Sequence, residues 1–328
     1  MLEWPRLDES LRQQLPDHHR LEASFTLAPL KISESATFVV DGWPGPNRRA
    51  VVRVYRSARH ALSRITAELQ WIEELHREGF ATPAVIRTID GSLTFPLEGP
   101  DGVVRTCAVF EFLPPDRHRP DLDTTVEELG ALAAQLQRHG ATWCAGRDVD
   151  RPRWDLAATL AEDTDWGSWP SLDLSAAHRA LFLRAREAVA GALPDLDDAA
   201  TLLHADLKTA NSIWSGGRLH AIDFDDCGFG LPLFDLAASL TGLEDDPRFP
   251  ALVHRWLEGY RRHRVVSADD LRLVPAFVAQ RRLMILGWLH AHPDAHAGPP
   301  VVDEFVAGTA NVLGRFLSGE LSRALATA

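Results

Sequence analysis

Runs rich in β-branched and aromatic residues, bounded by Gly- and Pro-containing turns, occupy the first third of the chain, and apolar residues at helical spacing dominate the rest. Residues 37–40 and 50–55 are two such runs, joined by DGWPGPNRR, whose glycines and prolines mark a loop. Residues 84–88, 92–95 and 103–112 are three more, separated by Asp90-Gly91 and Asp101-Gly102, dipeptides that favour hairpin turns. One helix interrupts them at about residues 60–77: Leu62, Ile65, Leu69, Ile72 and Leu75 recur at helical spacing, Gly79 caps the end and Pro83 blocks continuation. The expected order is two strands, a helix and three strands, forming an antiparallel five-stranded sheet.

The remainder reads as helical. Thr125 with Glu128 forms a capping box for a helix with Leu129, Leu132 and Leu136 on its apolar face, ending at Gly140. Residues 150–174, rich in Trp, Asp and Pro, read as loop or short helix. Further helices are expected at 175–192, 250–263, 269–292 and 302–325. The composition shift at Pro114-Pro115 marks a hinge, so the expected domains are residues 1–113 and 114–328.

Charge narrows the function. The chain has 328 residues, with 34 Lys and Arg against 46 Asp and Glu and a net charge of -12, which argues against a nucleic-acid protein. Cys107, Cys144 and Cys227 are far apart and form no CxxC, so neither a disulfide framework nor a zinc ribbon is encoded. The polar N-terminal stretch and the lack of a long apolar run lead to the expectation of a cytoplasmic protein without a membrane span.

The segment LLHADLKTANSIWSGGRLHAIDFDD, residues 202–226, concentrates the chemistry. Gly216-Gly217 turns a hairpin that brings the Asn211 amide and the Asp223 carboxylate toward one end, and Asp206 precedes Asn211 by five residues. Oxygen ligands of this type suit Mg²⁺, which completes its shell with water and phosphate. Phosphoryl transfer needs such a metal, a carboxylate to orient the attacking hydroxyl, and cations at the transferred group. His204, Asp206 and Asn211 keep the spacing of a kinase catalytic loop, and Asp223-Phe224 follows as the metal-binding element.

On these motifs the chain resembles the aminoglycoside phosphotransferase and choline kinase family, small-molecule kinases with the protein-kinase fold. HADL, Asn211, IDFDD and FDLA with Asp235 stand where that family has its signature residues. The resemblance implies a bilobal α+β fold, with a nucleotide-binding N-lobe and a mainly helical C-lobe that binds the acceptor. It implies Mg²⁺ as cofactor, ATP or GTP as phosphoryl donor, and a small hydroxylated acceptor such as an aminoglycoside-like antibiotic, an amino alcohol or a sugar. Asp206 becomes the catalytic base; Lys208 departs from this family and stands where the loop of Ser/Thr protein kinases has a Lys that contacts the transferred phosphate. Asn211 and Asp223 become the metal ligands. SESATFVV resembles the hairpin over the phosphates, placing Ser33 and Ser35 on the nucleotide. Arg53 stands where Lys is usual, paired with Glu68. Glu111 and Leu113 stand at the hinge that would bond adenine through the carbonyl of one and the amide of the other. Asp235 anchors the catalytic loop through backbone N–H groups. Ala205 replaces the family's usual Gly, a small change.

Other readings stand beside these. HADLKTAN also resembles the loop of Ser/Thr protein kinases, although only 11 residues separate Asp223 from Asp235 and no Ala-Pro-Glu follows. A catalytically idle nucleotide-binding regulator is the other class, which the presence of Asp206, Asn211 and Asp223 opposes. Arg53 and Glu68 could form only a surface ion pair. Trp166 and Trp169, amid Glu162, Asp163 and Asp165, could wall a cationic acceptor or simply pack, and the carboxylates of residues 244–246 could extend that wall. HAHPDAH, residues 290–296, matches no usual metal spacing and reads as an exposed loop.

Overall fold

The computed structural model describes residues 7–22, 24–32, 35–56, 61–161, 164, 166–196, 200–293 and 299–327. The chain forms two compact units, one comprising residues 1–116, 148–151 and 213–225 and the other residues 117–147, 152–212 and 226–328. The continuous part of the first unit ends three residues beyond the expected domain boundary at residue 113, and residues 148–151 and 213–225, expected in the second domain, belong to the first unit.

In the first unit, helix α1 (Leu7–His18) precedes strands β1 (Thr26–Ile32), β2 (Ala36–Asp41) and β3 (Arg49–Val54). Helix α2 (Leu62–Arg77) and strands β4 (Val85–Ile86), β5 (Phe95–Glu98) and β6 (Val104–Glu111) follow. The antiparallel sheet has six strands among the described residues, in the order β1-β2-β3-β6-β4 with β5 also paired to β6, one more than expected. The additional strand, β1, is an edge strand whose residues are mostly exposed and which contains Pro29, tolerated there because an edge N–H needs no ladder partner. Residues 92–95 do not form the expected strand. That strand begins at Phe95, and Asp90 instead closes a tight turn in which the Ser92 amide donates to its carboxylate at 3.1 Å.

Period-2 alternation turns Ala36, Phe38 and Val40 of β2 and Val52 and Val54 of β3 into one core. Leu7, Leu11 and Leu15 of α1 join it. Arg53, between two core valines, therefore projects from the other face of the sheet, where it is nonetheless buried. Helix α2 buries Ile65, Leu69, Ile72 and Leu75, and Glu68 falls on the same buried stripe.

The second unit begins with α3 (Leu122–Trp143), which starts three residues before the expected capping box. Asp121 is its N-cap, accepting the Thr124 amide at 2.8 Å, and this competes successfully with the Thr125 signal. Helices α4 (Leu156–Leu160) and α5 (Ala176–Ala192) follow, the latter capped by Ser175. Strands β7 (Thr201–Leu203), β8 (Ser212–Ser215), β9 (Arg218–Ala221) and β10 (Gly228–Gly230) come next in the chain. β7 pairs with β10 in this unit. The β8–β9 turn belongs to the first unit, and Gly216 and Gly217 both have positive φ, as the expected two-residue turn demands. Asp116 fastens that turn, its two oxygens accepting the amides of Gly216 and Gly217 at 2.9 Å each.

Helices α6 (Phe234–Ser239), α7 (Phe249–Arg261), α8 (Ala268–Ala291), α9 (Pro299–Leu317) and α10 (Glu320–Thr327) complete the second unit. The single helix expected at 302–325 is broken between α9 and α10 at Gly319, which has φ 72°. α3 and α7 approach so closely that a Cβ on Gly259 would lie 1.8 Å from the Glu127 carbonyl oxygen. Among the described residues no helix is long and apolar enough to cross a membrane.

Candidate active site

β7 leads directly into the catalytic-loop sequence of the second unit. His204 is fully buried and Ala205 takes a left-handed conformation, φ 65°. The Ala205 amide donates to Asp235 Oδ1 at 2.8 Å, as expected of Asp235, and Gln137 Nε2 donates to the other oxygen at 2.8 Å. Gln137 is itself fixed: its oxygen accepts from the Tyr260 hydroxyl at 2.6 Å and Arg264 Nη1 at 3.0 Å. Burial pushes the Asp235 carboxyl above its ordinary range, and the hydrogen bonds from Gln137 and Ala205 and the nearby His204 pull the other way.

Beyond this turn, Asp206 is 9% exposed and its carboxylate is held by three side chains. Asn211 Nδ2 donates to Oδ2 at 2.6 Å and to the Asp206 carbonyl at 3.0 Å. Lys208 Nζ donates to Oδ1 at 3.0 Å, and Arg281 Nη2 from α8 donates to the same oxygen. Because the Asn211 amide nitrogen faces Asp206, its Oδ1 is left as a hard oxygen that accepts no hydrogen bond among the described residues.

The first unit arranges Asp223, also at φ 65°, against Arg53. Arg53 Nη1 donates to Asp223 Oδ1 at 2.6 Å and Nη2 to Asp225 Oδ2 at 2.6 Å, and Lys31 Nζ lies 3.6 Å from Asp223 Oδ2. Burial by itself would lower the Arg53 pKa; the two carboxylates more than offset it and hold the guanidinium charged.

The expected Arg53–Glu68 pairing is therefore corrected. The two Nη nitrogens of a planar fork can each take a carboxylate, and Asp223 and Asp225 supply both, while the buried Nε makes no hydrogen bond among the described residues. Glu68 is 1% exposed and instead accepts the Tyr55 hydroxyl at 3.1 Å, with Arg151 Nη1 at 3.9 Å. Burial pushes its carboxyl up to about 7, against the attraction of Arg53 and Arg151.

Of the remaining nucleotide candidates, Ser33 lies outside the described residues, and Ser35 is buried just before β2. Glu111 ends β6, its amide donating to the Ala84 carbonyl at 2.9 Å. Two residues on, the Leu113 amide makes no hydrogen bond among the described residues, so a donor is available at the expected hinge.

The acidic-wall expectation fares differently. Glu162, Asp163 and Asp165 lie outside the described residues. Glu244 and Asp245 share an ion pair with Arg282, at 3.6 and 3.0 Å, and Asp246 pairs with Arg248 at 3.0 Å. Trp166 and Trp169 are buried, the first edge-on to Trp154 and the second to Phe182, so both pack.

Two arginines escaped the sequence reading. Arg281 sits in an RR pair inside an otherwise apolar run, a signal masked by reading that run as a core helix. Arg151 lies in the Asp- and Pro-rich stretch, where nothing marks it. It is buried in the first unit, donating to the Arg64 carbonyl at 3.0 Å and to the Asp225 carbonyl.

The sheet-plus-helix unit and the helical unit define a kinase-like phosphotransferase that acts on a hydroxyl group. Residues 26–267 match the phosphotransferase enzyme family, and the chain belongs to it. Its fold is similar to that of a microcompartment-associated aminopropanol kinase, with 30% identity, a TM-score of 0.85, and coverage of 95% of this chain and 98% of that one. Amicoumacin kinase hAmiN, solved with AMP-PNP, Ca²⁺ and amicoumacin, shares the fold at 17% identity and a TM-score of 0.74, covering 93% and 92% of the two chains. An uncharacterized protein of Deinococcus radiodurans is 28% identical over 249 residues, 73% of this chain and 70% of its own. The chain is a small-molecule kinase.

Proposed function

We propose that this chain transfers the γ-phosphoryl group of ATP or GTP to the hydroxyl of a small amino alcohol in the cytoplasm. The observation that carries the acceptor class is the 30% identity over nearly the full length to an aminopropanol kinase. The nucleotide and a divalent metal are supported by their presence in the amicoumacin kinase complex of the same fold.

By its chemistry, each of the two expected donors suits Mg²⁺. Asn211 offers a free amide oxygen and Asp223 a carboxylate, both hard ligands. Bound there, Mg²⁺ would neutralise charge on the nucleotide phosphates. In this reading Asp206 orients the acceptor hydroxyl and takes its proton, while Lys208 offsets charge at the transferred group. Arg53 meets the nucleotide phosphates, and Ser33 and Ser35 cover them. Glu68 and Arg151 keep the Arg53 neighbourhood in place. The backbone of Glu111 and Leu113 meets the base.

The test is a panel of 1-amino-2-propanol, ethanolamine, choline, a sugar, spectinomycin and an aminoglycoside, each offered with ATP and with GTP and read by nucleoside diphosphate release. Acceptor-dependent release confined to the amino alcohols is the expected result. Preference for an antibiotic would overturn the acceptor class, and release with none of them would overturn the reading.

A further inference from the structure

We propose that Arg281 is a positioning residue for the base, clamping the Asp206 carboxylate and the left-handed Ala205 peptide to helix α8. The inference rests on the reading of Asp206 as the base.

Arg281 is 1% exposed. A buried guanidinium is costly unless its charge is paired and its N–H groups are satisfied. Among the described residues Asp206 is its one ion-pair partner. Its donors point in three directions: Nη2 to Asp206 Oδ1, Nη1 to the Ala205 carbonyl at 3.4 Å, and Nε to Thr241 Oγ1 at 3.2 Å. Trp166 and Phe234 flank the group, their ring centroids 5.9 and 6.0 Å from its central carbon. A lysine has one nitrogen on a flexible stem and could not hold these three acceptors together.

The contacts close a clamp around one residue. Asp235 takes the Ala205 N–H and Arg281 takes the Ala205 C=O, so both polar groups of a residue at φ 65° are fixed by helices α6 and α8. The next side chain is Asp206, whose Oδ2 is held by Asn211 and whose Oδ1 is held by Arg281 and Lys208. Of these three, Asn211 and Lys208 belong to the loop itself. Arg281 alone ties the carboxylate to a long helix, and groups carried on helices hold geometry better than groups on loops. These contacts, with Lys208 Nζ 3.0 Å from both oxygens, set the rotation of the carboxylate. Misplacing a reacting group by about 1 Å can cost on the order of 10² in rate.

The experiment compares Arg281→Met, Arg281→Lys and Arg281→Ala with Asp206→Asn, using the panel compound that the wild-type chain phosphorylates fastest. The expected result for Arg281→Met is a fall in kcat of about 10²-fold. Its KM for nucleotide and its AMP-PNP affinity should stay within about twofold of wild type. Arg281→Lys should recover only part of the loss. Millimolar guanidinium should restore turnover to Arg281→Ala and leave the other variants unmoved. A role confined to stability would instead lower Tm, nucleotide affinity and kcat together, with no guanidinium rescue, and that pattern overturns the proposal. So does a kcat within twofold of wild type in Arg281→Lys, the variant that keeps charge and most of the volume and carries the test if the others fail to fold. An inactive Asp206→Asn beside fully active Arg281 variants overturns this inference alone, whereas an active Asp206→Asn overturns the base assignment beneath it.

Discussion

The Ala205 amide donates to Asp235 Oδ1 at 2.8 Å while Ala205 itself sits at φ 65°, a conformation that suits glycine. What the sequence presents as a small replacement is thus a strained one, because the methyl group meets the following carbonyl oxygen at a cost of roughly 1–2 kcal/mol. Ala205→Gly should relieve that strain and lose part of the gain, about 0.5–1 kcal/mol, to the greater freedom of glycine in the unfolded chain. The expected outcome is a higher urea midpoint, equivalent to a gain of up to about 1 kcal/mol in unfolding free energy, with kcat retained because both backbone contacts remain. A lower midpoint would show that packing of the buried methyl outweighs the strain.

Asp206→Asn should abolish turnover while leaving nucleotide binding in place. The amide preserves size and can still receive Asn211 or Lys208 at its oxygen, but it cannot take a proton. Loss of a positioned base costs about 10² to 10⁴ in rate. Activity within tenfold of wild type, measured by diphosphate release, would contradict the assignment.

For Asp223→Ala, the expected loss is of the metal-linked part of nucleotide affinity. One hard oxygen fewer leaves too few protein contacts to hold Mg²⁺ against its hydration. Arg53 would keep Asp225 at 2.6 Å, so its buried charge is not stranded and the fold should survive. Calorimetry with AMP-PNP, with and without Mg²⁺, reads the difference directly. Unchanged metal-linked affinity would remove Asp223 from the ligand set.

The HADLKTAN and IDFDD segments stood out because phosphoryl-transfer chemistry calls for residue types at fixed spacing, and a two-glycine turn announces its own hairpin. The helices α2, α5, α7 and α8 were legible from periodicity and caps. Less local features were not. β1 shows no alternation because its residues are exposed on both faces, with only Leu27 buried. β7 and β10 are three-residue strands whose pairing joins Leu203 to Gly228 across 25 residues of chain. The partner of Arg53 could not be read either: Glu68 lies 15 residues away in sequence, Asp223 lies 170 away, and only folding decides between them. Arg281 was hidden by the apolar residues around it, since a periodic run is read as core and a charge within it has no visible partner.

Glu68 gives the fold a pH dependence of definite sign. Burial raises its pKa from 4.5 to about 7, so the folded chain keeps this proton over a range in which the unfolded chain has lost it. The stabilising contribution of the protonated form is complete below about 4.5 and is lost as pH rises through about 7, above which both states are ionised. Each pKa unit corresponds to about 1.4 kcal/mol, so the full excursion is on the order of 3 kcal/mol. Glu68→Gln keeps a neutral group that can still accept the Tyr55 hydroxyl, and it has no proton to lose. Urea unfolding of both chains at several pH values between about 4.5 and 8 should show wild type losing stability relative to Glu68→Gln as pH rises, with the gap levelling off above about 7. Parallel curves across that interval would mean that Arg151 and Arg53 keep the carboxylate ionised throughout, and the buried group would then be a permanent anion holding those two arginines.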